Sequence, residues 1–288
     1  MDFPIITKEF KVFIKGLLKR GDLSEREISK YTDGSAMRIF RTAFIHPSYS
    51  SKFNYELLEL LGDITLNASI VYYILARYPN ITNVGYFSHV KARLVGKKFL
   101  GKMAKKYGFF RHILYSKEVF EILMNEPTKR MFRDIMEDTF EAFIGALGKV
   151  ILREETYGRF NAISYKIIES FLDGMKIDPY DYRLYYDPIS RLTEIYNSRK
   201  WNARKLWTYE DLGDGKCTVT LTAPLDRHSY LTKKRRYPVK VVMTGYGKSE
   251  IKKNVARKMM RILRDDFAIT GVVPDYAKEN TWRGMQKY

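Results

Sequence analysis

The hydrophobic period of this chain changes once, near residue 175. Up to that point apolar residues recur at helical spacing in eight segments: 5–20, 24–31, 35–45, 54–77, 86–107, 117–124, 129–153 and 157–175. Short loops such as "YPNITNVG" separate them, with few strand alternations. The stretch "GMKIDPYDYRLYYDP" (174–188) reads as a linker, because Pro and Asp break the helical pattern. Beyond it, "PISRLTEIYNSRK" predicts a helix capped by Asp187 with Pro188 in its first turn. "RKLWTYEDLG", "KCTVTLTAPL" and "YPVKVVMTG" then alternate as strands, the first two joined at "GDG". "SEIKKNVARKMMRILRDDF" closes as a helix with Ile251, Val255, Met259, Leu263 and Phe267 on one side. The expectation is an α+β chain: an all-α domain at 1–178, a small α-β-β-β-α domain at 179–270, and a tail at 271–288.

Charge narrows the class of partner. The 288 residues carry a net charge of +18, unevenly: 28 basic and 21 acidic residues in 1–180, against 23 and 12 in 181–288. Such a field attracts polyanions, with nucleic acid favoured over mere solubility charge. One cysteine, Cys217, excludes an internal disulfide framework and a cysteine-based zinc site. His46, His89, His112 and His228 show no metal-binding spacing. The stretch "ITLNASIVYYILA" (64–76) is too short to cross a bilayer, and the N-terminus reads as an amphipathic helix rather than a secretory leader. No membrane partner and an intracellular location, cytoplasm or nucleus, are therefore expected. "GKS" (247–249) resembles the end of a nucleotide-binding loop, but Val242 stands where its first glycine belongs.

The chemistry is expected where acids interrupt apolar helices. In "NYELLELLGD" (54–63) Leu57, Leu58, Leu60 and Leu61 call for a core, yet Glu56, Glu59 and Asp63 lie among them. At about 100° per residue these three acids fall within roughly 60° of one another. "DIMEDTFEAFIGALG" (134–148) adds Asp138 and Glu141 at i, i+3. Inward carboxylates repel one another unless paired or bound to a cation, and an all-oxygen set favours Mg²⁺ or Mn²⁺. The competing reading is that these acids are solvated or paired with nearby Lys and Arg.

These stretches resemble the ribonuclease III family. "ELLELLGD" (56–63) is similar to its first acidic motif, "AFIHPSYSSKFNYE" (43–56) to the lead-in, "VGYFSHVKARLVGKKFLGKMAKKYG" (84–108) to its middle helices and "EDTFEAFIGAL" (137–147) to its second acidic motif. The α-β-β-β-α unit resembles the double-stranded RNA-binding domain often attached to these nucleases. The resemblance implies metal ligands at Glu59, Asp138 and Glu141, an aspartate near the attacked phosphate at Asp63, and an outer acid at Glu56. It further implies a homodimer that hydrolyses double-stranded RNA to 5′-phosphate and 3′-hydroxyl ends, with Mg²⁺ as cofactor and Mn²⁺ as its substitute. Leu57, Leu60, Ile64, Val84 and Lys98 depart from the usual residues at their positions. In the C-terminal unit the resemblance implies RNA contacts at Thr193 and Glu194 on the first helix and at Lys252 and Lys253 on the last, with Arg257 and Lys258 behind. The loop 226–238, with Lys233, Lys234, Arg235 and Arg236, is expected to add positive charge beside them. The alternative is a non-catalytic binder of double-stranded RNA, a ribosomal component or an RNA-sequestering factor.

Overall fold

A computed structural model describes residues 3–125, 129–178, 187–225 and 238–270. Contacts divide the chain into two compact units, Met1–Pro179 and Tyr180–Tyr288.

The first unit is helical: α1 (Lys8–Leu18), α2 (Glu25–Lys30), α3 (Gly34–Thr42), α4 (Glu56–Arg77), α5 (Val84–Leu94), α6 (Lys97–Lys106), α7 (Lys117–Asn125), α8 (Arg130–Ile151) and α9 (Tyr157–Asp173). Side-chain caps start several of them. Thr7, Asp33, Asn83 and Thr156 each accept a first-turn N–H, and Ser24 and Glu27 form a reciprocal capping box. α8 is the central helix. From Ile135 to Leu147 it is buried on almost every side, with α3, α4, α6 and α9 packed around it. A stretch as apolar as 140–147, interrupted by the one acid Glu141, is stable in water only in such a position.

The expected helix 86–107 is two helices, because the chain turns at Val95–Gly96 and Gly96 becomes the cap of α6. A second expectation fails in α4. Leu58 is buried, but Leu57, Leu60 and Leu61 are exposed, because α8 and α9 cover only one side of this helix. The open stripe continues through Ile64, Tyr72 and Leu75, with Leu57 61%, Ile64 62% and Tyr72 64% accessible. By length and composition α4 would also pass as a membrane-crossing helix. Its acids and its packing on α8 make it a wall of the domain instead.

The second unit comprises α10 (Pro188–Ser198), β1 (Trp207–Asp211), β2 (Lys216–Ala223), β3 (Val239–Tyr246) and α11 (Lys248–Phe267). The antiparallel sheet runs β1-β2-β3, with Tyr209 opposite Val219 and Val219 opposite Met243. In β2, Cys217, Val219, Leu221 and Ala223 are buried and alternate with half-buried threonines, so one face carries the core. Leu192, Ile195 and Tyr196 of α10 join that core, as do Ile251, Val255, Met259, Leu263 and Phe267 of α11. The β1–β2 connection needs left-handed backbone at Gly213, Asp214 and Gly215 (φ 83°, 50° and 72°), which explains two glycines around an aspartate. Of the basic loop, 226–237 lies outside the described residues, as does the tail 271–288.

Candidate active site

The site forms where α4 and α8 cross, and two glycines set the distance between them. A Cβ on Gly62 would stand 1.7 Å from the Glu141 carbonyl oxygen, and one on Gly145 would stand 1.9 Å from that of Leu58. Backbone therefore meets backbone. Glu59 and Asp63 flank this contact on α4; Asp138 and Glu141 approach it from α8.

Electrostatics record how closely the acids converge. Glu141 is only 6% exposed, and burial, reinforced by Glu137, Asp63, Glu59 and Asp138, pushes its carboxyl up to about 9. Burial likewise raises Glu59, with Asp138, Glu56 and Asp63 adding to the effect and Lys97 opposing it. Four of the five sequence-predicted acids thus share one region, and Glu56 stands exposed at its rim. Among the described residues no three acidic, imidazole or thiol groups are already gathered around a common metal position. The donor set still fits a hard divalent cation: every candidate ligand is a carboxylate oxygen, and burial, with repulsion from the neighbouring acids added to it, favours the protonated form of Glu141 at neutral pH. Neutralising that repulsion is what a bound cation does.

Five neighbours complete the site. Tyr55, buried beside the start of α4, donates its hydroxyl to Asp138 Oδ2 at 3.2 Å. Burial, together with Asp138, keeps that phenol far above the usual tyrosine range, so it remains a donor. Asn67, one turn beyond Asp63, donates to the Asp63 Oδ1 at 2.6 Å and to its carbonyl at 3.0 Å. Lys97, at the start of α6, donates to Glu137 Oε2 at 2.7 Å and lies 3.5 Å from Asp138 Oδ1. Burial works against the Lys97 charge, but Glu137 and Asp138 outweigh it and raise the ammonium above the usual lysine range. Burial pushes Glu137 up to about 7 even with Lys97 pulling it down. His46 packs edge-on against Tyr55, ring centroids 5.7 Å apart. The Ser48 N–H donates to its Nδ1 at 3.0 Å, which leaves the proton of a neutral imidazole on Nε2. Burial lowers the His46 pKa despite Asp138 and Glu56, favouring that neutral form.

Tyr55, Asn67, Lys97 and Glu137 were not among the sequence-predicted site residues. Tyr55 and Glu137 adjoin predicted acids, and Asn67 sits at the i+4 position from Asp63. Lys97 arrives from another helix, 40 residues before its partner Glu137, and no local spacing announces it.

In the second unit the predicted RNA contacts do not behave alike. The Thr193 hydroxyl donates to the Ile189 carbonyl at 2.8 Å, and Glu194 lies 3.4 Å from Arg191. Lys253 faces Asp187 at 3.6 Å. The Lys252 ammonium lies over the Trp207 ring, 5.0 Å from its centroid.

Comparison with known proteins identifies the segment that carries both helices. Residues 56–148, which contain both acid-bearing helices, match the ribonuclease III domain model. Ribonuclease 3 of Acinetobacter pittii is 34% identical over 164 residues, covering 57% of this chain and 66% of that protein. A relative from Invertebrate iridescent virus 6 is 26% identical over 208 residues, covering 67% of this chain and 68% of the viral protein. One from Frog virus 3 is 28% identical, and the chain covers only 43% of its length. The nuclease domain of Campylobacter jejuni ribonuclease III superposes with a TM-score of 0.40 at 24% identity, covering 57% of this chain and 98% of that domain. With its two acidic motifs on crossing helices, inside a segment that the domain model matches, the chain belongs to the ribonuclease III family of endoribonucleases.

Proposed function

We propose that this protein hydrolyses phosphodiester bonds of double-stranded RNA with Mg²⁺, or Mn²⁺ in its place, leaving 5′-phosphate and 3′-hydroxyl ends. The observation that carries the reading is the convergence of Glu59, Asp63, Asp138 and Glu141 at the Gly62–Gly145 crossing. Glu59, Asp138 and Glu141 would hold the cation, with Glu56 as an outer ligand at the exposed rim. Bound there, a divalent ion lowers the pKa of water and neutralises charge developing on phosphate.

The remaining roles belong to the chain itself. Asn67 fixes one oxygen of Asp63, leaving the other to accept a hydrogen bond from the attacking water. Tyr55 holds Asp138 in register from the opposite side. Lys97 supplies a positive charge at the mouth of the site, which offsets repulsion between the acids before RNA arrives. The fixed α4–α8 crossing keeps these groups in one geometry through the reaction.

The active assembly is proposed to be a homodimer. Leu57, Leu60, Leu61, Ile64, Tyr72 and Leu75 form an exposed apolar stripe along α4 beside the acids, the kind of surface that marks an interaction face. A second copy meeting it through the same stripe would bury it on both sides. Duplex RNA is the proposed substrate because the α-β-β-β-α unit supplies Lys248, Lys252 and Lys253 at the start of α11, where the helix dipole also favours phosphate.

Long duplex RNA incubated with and without Mg²⁺ tests the reading. Fragments with 5′-phosphate ends should form with the metal only, and Glu141→Gln should remove cleavage while sparing RNA binding. Binding without cutting under any divalent ion would favour the non-catalytic alternative.

A further inference from the structure

We propose that Trp207 and Tyr209 are positioning residues for RNA backbone: their stacked rings hold the ammonium groups of Lys248 and Lys252 in place for phosphate. The inference rests on the reading of the second unit as an RNA-binding module, and it assigns a task to two aromatic residues which that reading leaves idle.

β1 is an edge strand, and Trp207 and Tyr209 stand opposite Leu221 and Val219 of β2. Residues directly opposite share a face of the sheet, and Leu221 and Val219 are fully buried under the helices. The two aromatic side chains therefore turn towards the helical side, at its margin. Their rings are parallel within 7°, with centroids 6.4 Å apart, and Tyr209 remains 40% exposed. The first turns of α11 reach over them. Lys248 Nζ lies 4.1 Å from the Tyr209 centroid, and Lys252 Nζ lies 5.0 Å and 5.7 Å from those of Trp207 and Tyr209. Lys248 and Lys252 are i, i+4 neighbours, so both project from the same side of the helix.

What matters is how the cations from Lys248 to Arg257 on this helix are engaged. Lys253 faces the Asp187 carboxylate at 3.6 Å, and Arg257 faces Glu250 at 3.6 Å and donates to Asn254 at 2.6 Å. A phosphate recruiting either of these must displace a side-chain oxygen. An ammonium resting on a ring face is attracted by the quadrupole while its outward N–H groups remain able to donate. The flexible four-carbon stem is thereby ordered before RNA arrives, which lowers the entropic cost of contact. Lys252 is accordingly a stronger phosphate contact than Lys253, and Lys248 joins it.

The test is binding of the full chain to a short RNA duplex in EDTA, titrated at several salt concentrations, with thermal unfolding run alongside. Tyr209→Phe retains the π face and should bind as wild type. Tyr209→Leu should bind about three-fold more weakly, the size of one exposed cation–π contact, with a shallower salt slope. Lys248→Ala/Lys252→Ala should lower the slope of log K against log salt by about 1.8, because two phosphates are no longer neutralised. Equal binding by the leucine and phenylalanine variants would overturn the inference. So would weaker binding by the leucine variant with an unchanged salt slope and a lowered unfolding temperature, the mark of a purely structural ring. Wild-type binding and slope in the double lysine variant would instead overturn the RNA-contact reading of this face, and the inference with it.

Discussion

Glu141→Gln should make the metal-free protein more stable at alkaline pH while removing its activity. Burial, reinforced by the neighbouring carboxylates, pushes Glu141 from 4.5 up to about 9. A raised acid stabilises the fold in full only below its unfolded pKa, because both states are then protonated. As pH climbs from about 4.5 towards 9, the unfolded state releases its proton and the folded state retains it, so stability falls across that window. The shift alone would correspond to a loss on the order of 6 kcal/mol by its upper end. The acids share their repulsion and the rim of the site is open to water, so about 2 kcal/mol at pH 8 is the expected share of Glu141. For a domain of this size that is about 4–8 °C in Tm. Glutamine keeps the shape and cannot ionise, so the variant should match wild type near pH 4.5 and exceed it progressively up to pH 8.5. Calorimetry in EDTA across this range measures the difference. Mg²⁺ should raise the wild-type Tm most at high pH, where fewer protons need to leave, and should do little for the variant. A Tm below wild type at every pH, or an offset that does not change with pH, would refute the reasoning.

Three further outcomes follow from other contacts. Gly62→Ala inserts a methyl 1.7 Å from a backbone oxygen, so α4 must move off α8; a loss of about 3 kcal/mol or more in urea unfolding is expected, and Gly145→Ala should behave alike. Lys97→Met strands the buried Glu137, already raised to about 7, so its stability deficit against wild type should be large at pH 8 and small at pH 5.5; a second change, Glu137→Gln, should make that deficit the same at both pH values. Ile64→Arg places a charge in the exposed stripe of α4; if the proposed dimer forms there, sedimentation should find a dimer for wild type and a monomer of the same helical content for the variant.

Much of this architecture was legible in residue order because it rests on local periodicity. The five apolar positions of α11, the Asp187 cap with Pro188, and the alternation of β2 all follow from one-dimensional spacing. The acid stripes were legible for the same reason, since i, i+3 and i, i+7 neighbours share a helix face wherever that helix docks. What escaped is whatever depends on which face docks. Leu57, Leu60 and Leu61 look like core residues until α8 and α9 are seen to cover only the opposite side of α4. Lys97 could not be paired with Glu137 before the packing of α6 on α8 was known. Lys252 and Lys253 are neighbours of identical type, yet one lies on an aromatic ring and the other faces a carboxylate. Only the third dimension tells them apart.

The glycine contact between α4 and α8 also limits how the site adapts to its cargo. Most helix pairs are separated by side chains that act as compressible shims, and small changes at a ligand are absorbed by their repacking. Here main chain abuts main chain, so neither helix has slack to yield. Adjustment to ions of different radius must come from rotation of the carboxylates themselves. If the proposed site holds its cation there, the length of those side chains, rather than any breathing of the scaffold, sets the range of ions that this crevice tolerates.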